Sequence, residues 1–144
     1  MIRHAGLVAC KRQGRWRGVL IEGPSGAGKS DLALRALDQG FQLVADDRVR
    51  LWTADGRLFG RAPGSLAGLL EVRGQGVLAV PFVGFCEVVL LAQSGDPQRT
   101  PDPTTVTILG IPVSRLVVDL LHASAPAKIG RALAAFDAAH KRRI

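Results

Sequence analysis

The chain has 144 residues, of which 47% are hydrophobic and 22% charged, with a formal net charge of +7. That length suits a single folded domain spanning 1–144 with a real core, and no apolar run approaches the roughly 20 residues of a membrane helix. The basic excess fits a protein that handles phosphates, nucleic acid or an acidic partner. Cys10 and Cys86 are too few for a disulfide framework or a metal site and fit a reducing, cytoplasmic setting.

The first 17 residues carry Arg3, Lys11, Arg12, Arg15 and Arg17 and no acid, a superficial likeness to a transit peptide. Removing them would leave nothing ahead of the strand that begins at about Gly18, so they are read as part of the fold. Residues 19–22 read as a short buried strand. Residues 30–39 read as a helix, with Leu32, Ala33, Ala36 and Leu37 on one face and Gly40 as its stop. Residues 41–45 form the next strand, ending in Asp46-Asp47. Strands at 49–52 and 57–61 flank Ala54-Asp55-Gly56, a hairpin signal. Further strands are predicted at 77–80 and 87–92. The polar, proline-rich stretch 93–103 is a loop, followed by strands at 106–109 and 116–119. A last helix begins near Pro126 and carries Ile129, Leu133 and Phe136 on one face. Strands outnumber helices, and most links between them are too short for helical crossovers. An α/β fold with a mixed sheet and few helices is therefore expected.

Between the first strand and the first helix lies Gly23-Pro24-Ser25-Gly26-Ala27-Gly28-Lys29-Ser30, an uninterrupted GxxxxGKS. Glycines let successive backbone N–H groups point inward at phosphates. The lysine reaches the β/γ oxygens and the hydroxyl holds Mg²⁺, while the following helix adds positive potential. The strand before and the helix after are the context this motif requires.

"FQLVADDRV" places two carboxylates at the end of an apolar strand, one helix after the loop. Were that strand the parallel neighbour of the first, its end would lie near the phosphates. One aspartate would steady Mg²⁺ and the other would accept a hydroxyl proton during phosphoryl transfer.

Taken with "LLEVRGQGVLAV" further along, "GPSGAGKS" and "LVADDRV" resemble the catalytic domain of HPr kinase/phosphorylase, a bacterial regulator that phosphorylates a serine of the phosphocarrier protein HPr and also removes that phosphate. The likeness spans residues 4 to about 135, and "APAKIGRALA" resembles the family's C-terminal basic motif. The resemblance implies a P-loop fold akin to phosphoenolpyruvate carboxykinase, with ATP and Mg²⁺ as cofactors and an HPr-type protein as partner. It gives Lys29 the phosphate contact, Ser30, Asp46 and Glu71 the metal, and Asp47 the acid/base role. His4 matches a histidine ahead of the loop, with "CKRQGRWRG" lengthening the intervening hairpin. Arg99 stands as the catalytic arginine, and Lys128 and Arg131 as the basic pair associated with dephosphorylation.

The pattern departs from the long members in two ways: it resembles the short, catalytic-domain-only forms, and it ends soon after the basic motif. The hexamer of the long forms is therefore not carried over, and a homo-oligomer stays open. A small-molecule kinase of the shikimate or nucleotide type shares the loop, but it needs a mobile arginine lid and leaves "LLEVRGQG" without a role. A nucleotide-gated nucleic-acid-binding module is suggested by the basic start, where Trp16 is the only aromatic residue, a poor stacking platform.

Overall fold

A computed structural model describes residues 1–142, with side chains as far as Asp137. Strands β1 (Ile2–His4), β2 (Gly6–Arg12) and β3 (Arg15–Glu22) lead into helix α1 (Lys29–Leu37). Next come β4 (Gln42–Ala45), β5 (Arg48–Ala54), β6 (Arg57–Arg61), β7 (Leu69–Val72), β8 (Gly76–Ala79), β9 (Cys86–Ser94), β10 (Thr104–Ile108) and β11 (Ile111–Val118), before helix α2 (Ala125–Arg142). Three hairpins close on two-residue turns with positive φ at both positions: Gln13-Gly14, Asp55-Gly56 and Leu109-Gly110. Such turns match the right-handed twist of paired strands.

The main sheet runs β1-β5-β6-β9-β3-β2-β4, with β11 also beside β9 and β10 on the outside of β11. β3 pairs in parallel with β9, and β9 with β11, while the other pairings are antiparallel. The sheet is therefore mixed, as expected. The strand ending in the two aspartates is not the neighbour of β3, however. β2 lies between them, antiparallel to both, so β4 still points the same way as β3. The basic first residues thus build one arm of a long hairpin. Gly6-Leu7-Val8-Ala9 is buried on both faces, so no period-two alternation marks it as a strand.

Both faces of the sheet carry a core. Along β3, Val19 and Ile21 face α1 and α2 and pack with Leu32, Ala36, Leu70, Ile129 and Leu133. Leu20 points the other way, into a second cluster with Leu7, Val49, Leu51, Leu58, Cys86 and Leu91. The buried side of the β5–β6 hairpin supplies Val49, Leu51 and Leu58 to that cluster. Each such side chain contributes about 1.5–3 kcal/mol when fully buried. Phe136 packs against the first cluster, completing the helix face predicted from Ile129 and Leu133.

Gly18 lets β9 lie close. A Cβ there would stand 2.5 Å from Cys86 Sγ and 2.9 Å from the Glu87 carbonyl oxygen, and backbone cannot yield as a side-chain tip does. Gly18→Ala is expected to cost about 1–3 kcal/mol, read as a lower urea midpoint at constant m-value. Burial, with a smaller contribution from the charge of Glu87, pushes the Cys86 thiol well above its ordinary range. It stays protonated at pH 8, and the thiolate is the reactive form. Iodoacetamide should therefore label half-buried Cys10 in the folded protein and Cys86 only after unfolding, as followed by mass spectrometry.

Candidate active site

The loop from Gly23 to Gly28 turns off the end of β3 into α1. Gly26 and Gly28 have φ of 83° and 106°, a region open to glycine and strained for other residues. The Ala27 N–H donates to the Pro24 carbonyl at 3.0 Å. Two further contacts hold the loop close. A Cβ on Gly23 would lie 2.7 Å from Ser94 Cβ at the end of β9, and one on Gly28 would lie 2.5 Å from Leu121 Cδ2. Lys29 folds back over its own loop, with Nζ donating to the carbonyls of Gly23 at 2.8 Å and Pro24 at 3.2 Å.

The strand-end aspartates separate into two environments. Asp46 is half-buried and accepts two hydrogen bonds. Ser30 Oγ donates to its Oδ1 at 2.7 Å, and the Glu71 backbone N–H donates to its Oδ2 at 2.9 Å. Ser30, Asp46 and Glu71, the three residues expected at the metal, are thereby brought together from α1, the end of β4 and β7. Asp47 is exposed, sits at φ 68°, and its carbonyl accepts the Ala5 N–H at 3.1 Å. Among the described residues its carboxylate has no hydrogen-bond partner. Left-handed backbone in a residue other than glycine is uncommon, though aspartate tolerates it better than most.

That Ala5 bond also delivers His4, whose register partner across the β1–β5 pair is Arg48; His4 is exposed beside the Asp47 turn. Arg3, one residue earlier, forms an ion pair with Glu22, the last residue of β3, with Nη2 at 3.2 Å from Oε1. β1 is thus tied at once to the strand feeding the loop and to the aspartate turn. Among the described residues no three His, Cys, Asp or Glu side chains cluster tightly enough to hold a metal alone. The side-chain oxygens placed at this junction are those of Ser30 and Asp46, with Glu71 reaching it through its backbone N–H. Mg²⁺ in general needs few protein oxygens, since it keeps waters and shares phosphate oxygens.

Not every residue expected at the site gathers here. Arg99 lies exposed in the 95–103 loop that leaves β9 beside Gly23 and forms no ion pair or hydrogen bond with the loop or the aspartates. Lys128 and Arg131 are exposed on α2. Arg131 lines a cleft of about 400 Å³ with Arg12, Gln39 and Phe41, at the end of α1 away from the phosphate loop. Helix α1 runs nine residues from Lys29 to Leu37, roughly 12 Å, and Gln39 lies beyond its far end, so this chain's Arg131 is not brought to its own loop.

Contacts of another kind are illegible in the sequence. Arg35 donates to the carbonyls of Leu120 and His122 and pairs with Asp31 at 2.8 Å. This pins the segment before α2 against α1, so that Leu121, 59% exposed, lies on Gly28. Some 85 residues separate these partners, and no local pattern announces them.

The family model for the HPr serine kinase C-terminal domain matches residues 5–89, which include the loop, both aspartates and Glu71. The chain belongs to that family. It is 37% identical over 117 residues to HPr kinase/phosphorylase of Clostridium novyi, covering 72% of this chain and 38% of that protein. To the HPr kinase/phosphorylase of Lacticaseibacillus casei it is 35% identical over 132 residues, 81% of this chain and 39% of that protein. The chain thus spans about two fifths of the length of these curated relatives. Its fold superposes on the HPr(Ser) kinase/phosphatase from Coxiella burnetii with a TM-score of 0.82 at 27% identity, covering 98% of this chain and 99% of that one. No helix among the described residues is long and apolar enough to cross a membrane.

Asparagine occupies left-handed backbone as readily as aspartate does. Asp47→Asn should therefore keep its stability within about 0.5 kcal/mol of the parent, measured by thermal and urea unfolding. Any loss of activity then reports the carboxylate alone.

Proposed function

We propose that this chain is a protein-serine kinase that transfers the γ-phosphoryl group of ATP, with Mg²⁺, to a serine of an HPr-type phosphocarrier protein, and that it also removes that group by transferring it to inorganic phosphate, which becomes pyrophosphate while the serine hydroxyl is restored. The observation that carries this reading is the junction at Asp46, which holds the loop hydroxyl of Ser30 and the Glu71 backbone on one carboxylate and leaves Asp47 exposed beside it. Family membership and the names of its relatives supply the substrate class.

Bound ATP would supply the phosphoryl group, and Mg²⁺ would offset the charge on its oxygens. The loop amides and the start of α1 cradle the phosphates. Lys29, an ammonium now satisfied by two loop carbonyls, swings outward to meet them as a point charge. Ser30 and Asp46 would hold the metal, with Glu71 adjacent. Asp47 takes the proton from the acceptor serine as its oxygen forms the new bond to phosphorus, while the bond to the leaving nucleotide breaks. In the reverse direction the same carboxyl returns that proton to the serine. His4, delivered to the Asp47 turn by β1, orients the acceptor. Arg99 is the candidate for charge on the transferring group, on a loop rooted beside Gly23. The resemblance assigns Lys128 and Arg131 to the reverse direction, where phosphate must approach a phosphoserine and additional positive charge lowers the repulsion between anions. With Arg131 remote from its own loop, that charge would act at the site of a second copy of this chain.

The direct test incubates the purified chain with labelled ATP, Mg²⁺ and HPr and locates the phosphate by mass spectrometry. Serine phosphorylation is expected; HPr left unmodified while a small hydroxyl compound is phosphorylated would favour the small-molecule kinase. Lys29→Ala should abolish transfer in a folded protein. Asp47→Asn should slow the chemical step by about 10² or more, whereas Asp46→Asn should chiefly raise the Mg²⁺ concentration needed for half-maximal rate. In assays of both directions on one preparation, Lys128→Ala should weaken dephosphorylation more than phosphorylation.

A further inference from the structure

The outward face of the β5–β6 hairpin is unlike the rest of the surface. Arg48, Arg50 and Trp52 point outward along β5, and Arg57, Phe59 and Arg61 along β6, while the alternate residues Val49, Leu51 and Leu58 are buried. The register sets Arg50 directly opposite Arg61 and Trp52 opposite Phe59. Trp52, Phe59 and Phe85 form one ring cluster with centroids 5.9, 6.2 and 6.4 Å apart, and Phe85 is 58% exposed. The Arg61 guanidinium lies 5.9 Å over the Trp52 ring. Arg50, Arg61, Trp52 and Met1 also line an open cleft of about 370 Å³. Among the described residues none of these four arginines joins an ion pair, and Asp55 at the turn is the only acid in residues 48–61.

Like charges placed directly opposite on paired strands destabilise a sheet, and Phe85 leaves more than half of its surface in water, where an apolar ring gains little from folding. Both features are what a protein-binding surface uses: aromatic and arginine anchors with few other charges at the centre. The face is also continuous with the site. Arg48 follows Asp47 in the chain and pairs with His4, and Trp52 lies four strand residues further on, roughly 13 Å. A standard interface of about 800 Å² per partner covers both.

We propose that this face docks the acceptor protein, taking an acidic, partly apolar patch beside the serine that Asp47 serves; the proposal rests on the protein-kinase reading above. A nucleic-acid strand fits less well, because it needs open ring faces, and here the rings lean on one another with a guanidinium over the indole.

The test compares the parent chain with Arg50→Glu/Arg61→Glu and with Phe85→Ser, all at surface positions and checked for retained Tm. With HPr as acceptor, the KM for HPr should rise about tenfold in the double variant, while kcat and the KM for ATP stay within about twofold. Direct titration with HPr should show binding by the parent that weakens with added salt, and a flatter salt response in the double variant. Transfer to HPr with an unchanged KM overturns the docking surface alone. No transfer to HPr by the parent chain overturns the kinase reading and the surface with it. Loss of binding to a uridine oligonucleotide, or a changed mass of the free protein by light scattering, with the KM for HPr unaltered, reassigns the face to nucleic acid or to a second copy and likewise overturns the proposal.

Discussion

The carboxylate of Asp46 is the contact on which the arrangement of the site depends. It accepts the Ser30 hydroxyl on one oxygen and the Glu71 N–H on the other, joining the phosphate loop, the end of β4 and β7 at one point. These segments come from different parts of the fold: α1 rests on the helix-side core, β4 ends the main sheet, and β7 belongs to a separate two-stranded ribbon. A charge-assisted acceptor with both oxygens engaged fixes its own orientation. That constraint is what differentiates two adjacent aspartates. Asp46 is held by its side chain, and Asp47 by its backbone carbonyl, which leaves the second carboxylate exposed.

Behind this junction the scaffold is stiff for a definable reason. β3 and β9 are buried on both faces, so neither can shift without disturbing both cores. At their ends Glu22 pairs with Gln93, and the loop emerges there with Ser94 against Gly23 on one side and Leu121 against Gly28 on the other. Glycine serves two ends in this loop, admitting positive φ for inward-facing amides and removing Cβ atoms where neighbours press close. Loops rooted in a rigid sheet are where binding groups are commonly found, and the ends of parallel strands are where open α/β sheets take ligands.

Charge is distributed unevenly over the molecule. Arg3, Arg12, Arg17 and Arg35 are spent internally, on Glu22, Asp137, Glu87 and Asp31. The Arg12–Asp137 pair fastens the far tip of the β2–β3 hairpin to α2. Among the described residues the arginines of the β5–β6 hairpin have no such partners. The net positive charge thus resolves into two populations, one that ties elements together and one left facing outward.

The loop motif, the two aspartates and the helix faces were legible in the sequence because each rests on local rules: glycine at fixed spacing, a carboxylate pair closing an apolar run, a 3.6-residue period. The hairpin at Asp55-Gly56 was legible for the same reason, since its turn chemistry is contained in adjacent residues. β2 entered only as part of the hairpin that the resemblance implies around "CKRQGRWRG", because burial on both faces erases its alternation, and its position between β3 and β4 was not in that reading. The resemblance supplied Glu71, whereas the means of its attachment, a backbone N–H on Asp46, depends on the path of a ribbon that no local pattern specifies. Arg131 shows the opposite case: a basic motif that reads as functional in sequence is carried by α2 to the end of α1 remote from the loop. The sequence by itself therefore determined which chemical groups this protein possesses. Only the tertiary structure decided which of them meet, because meeting depends on strand order and on contacts across some 85 residues, such as Arg35 with Leu120, that leave no trace in local spacing.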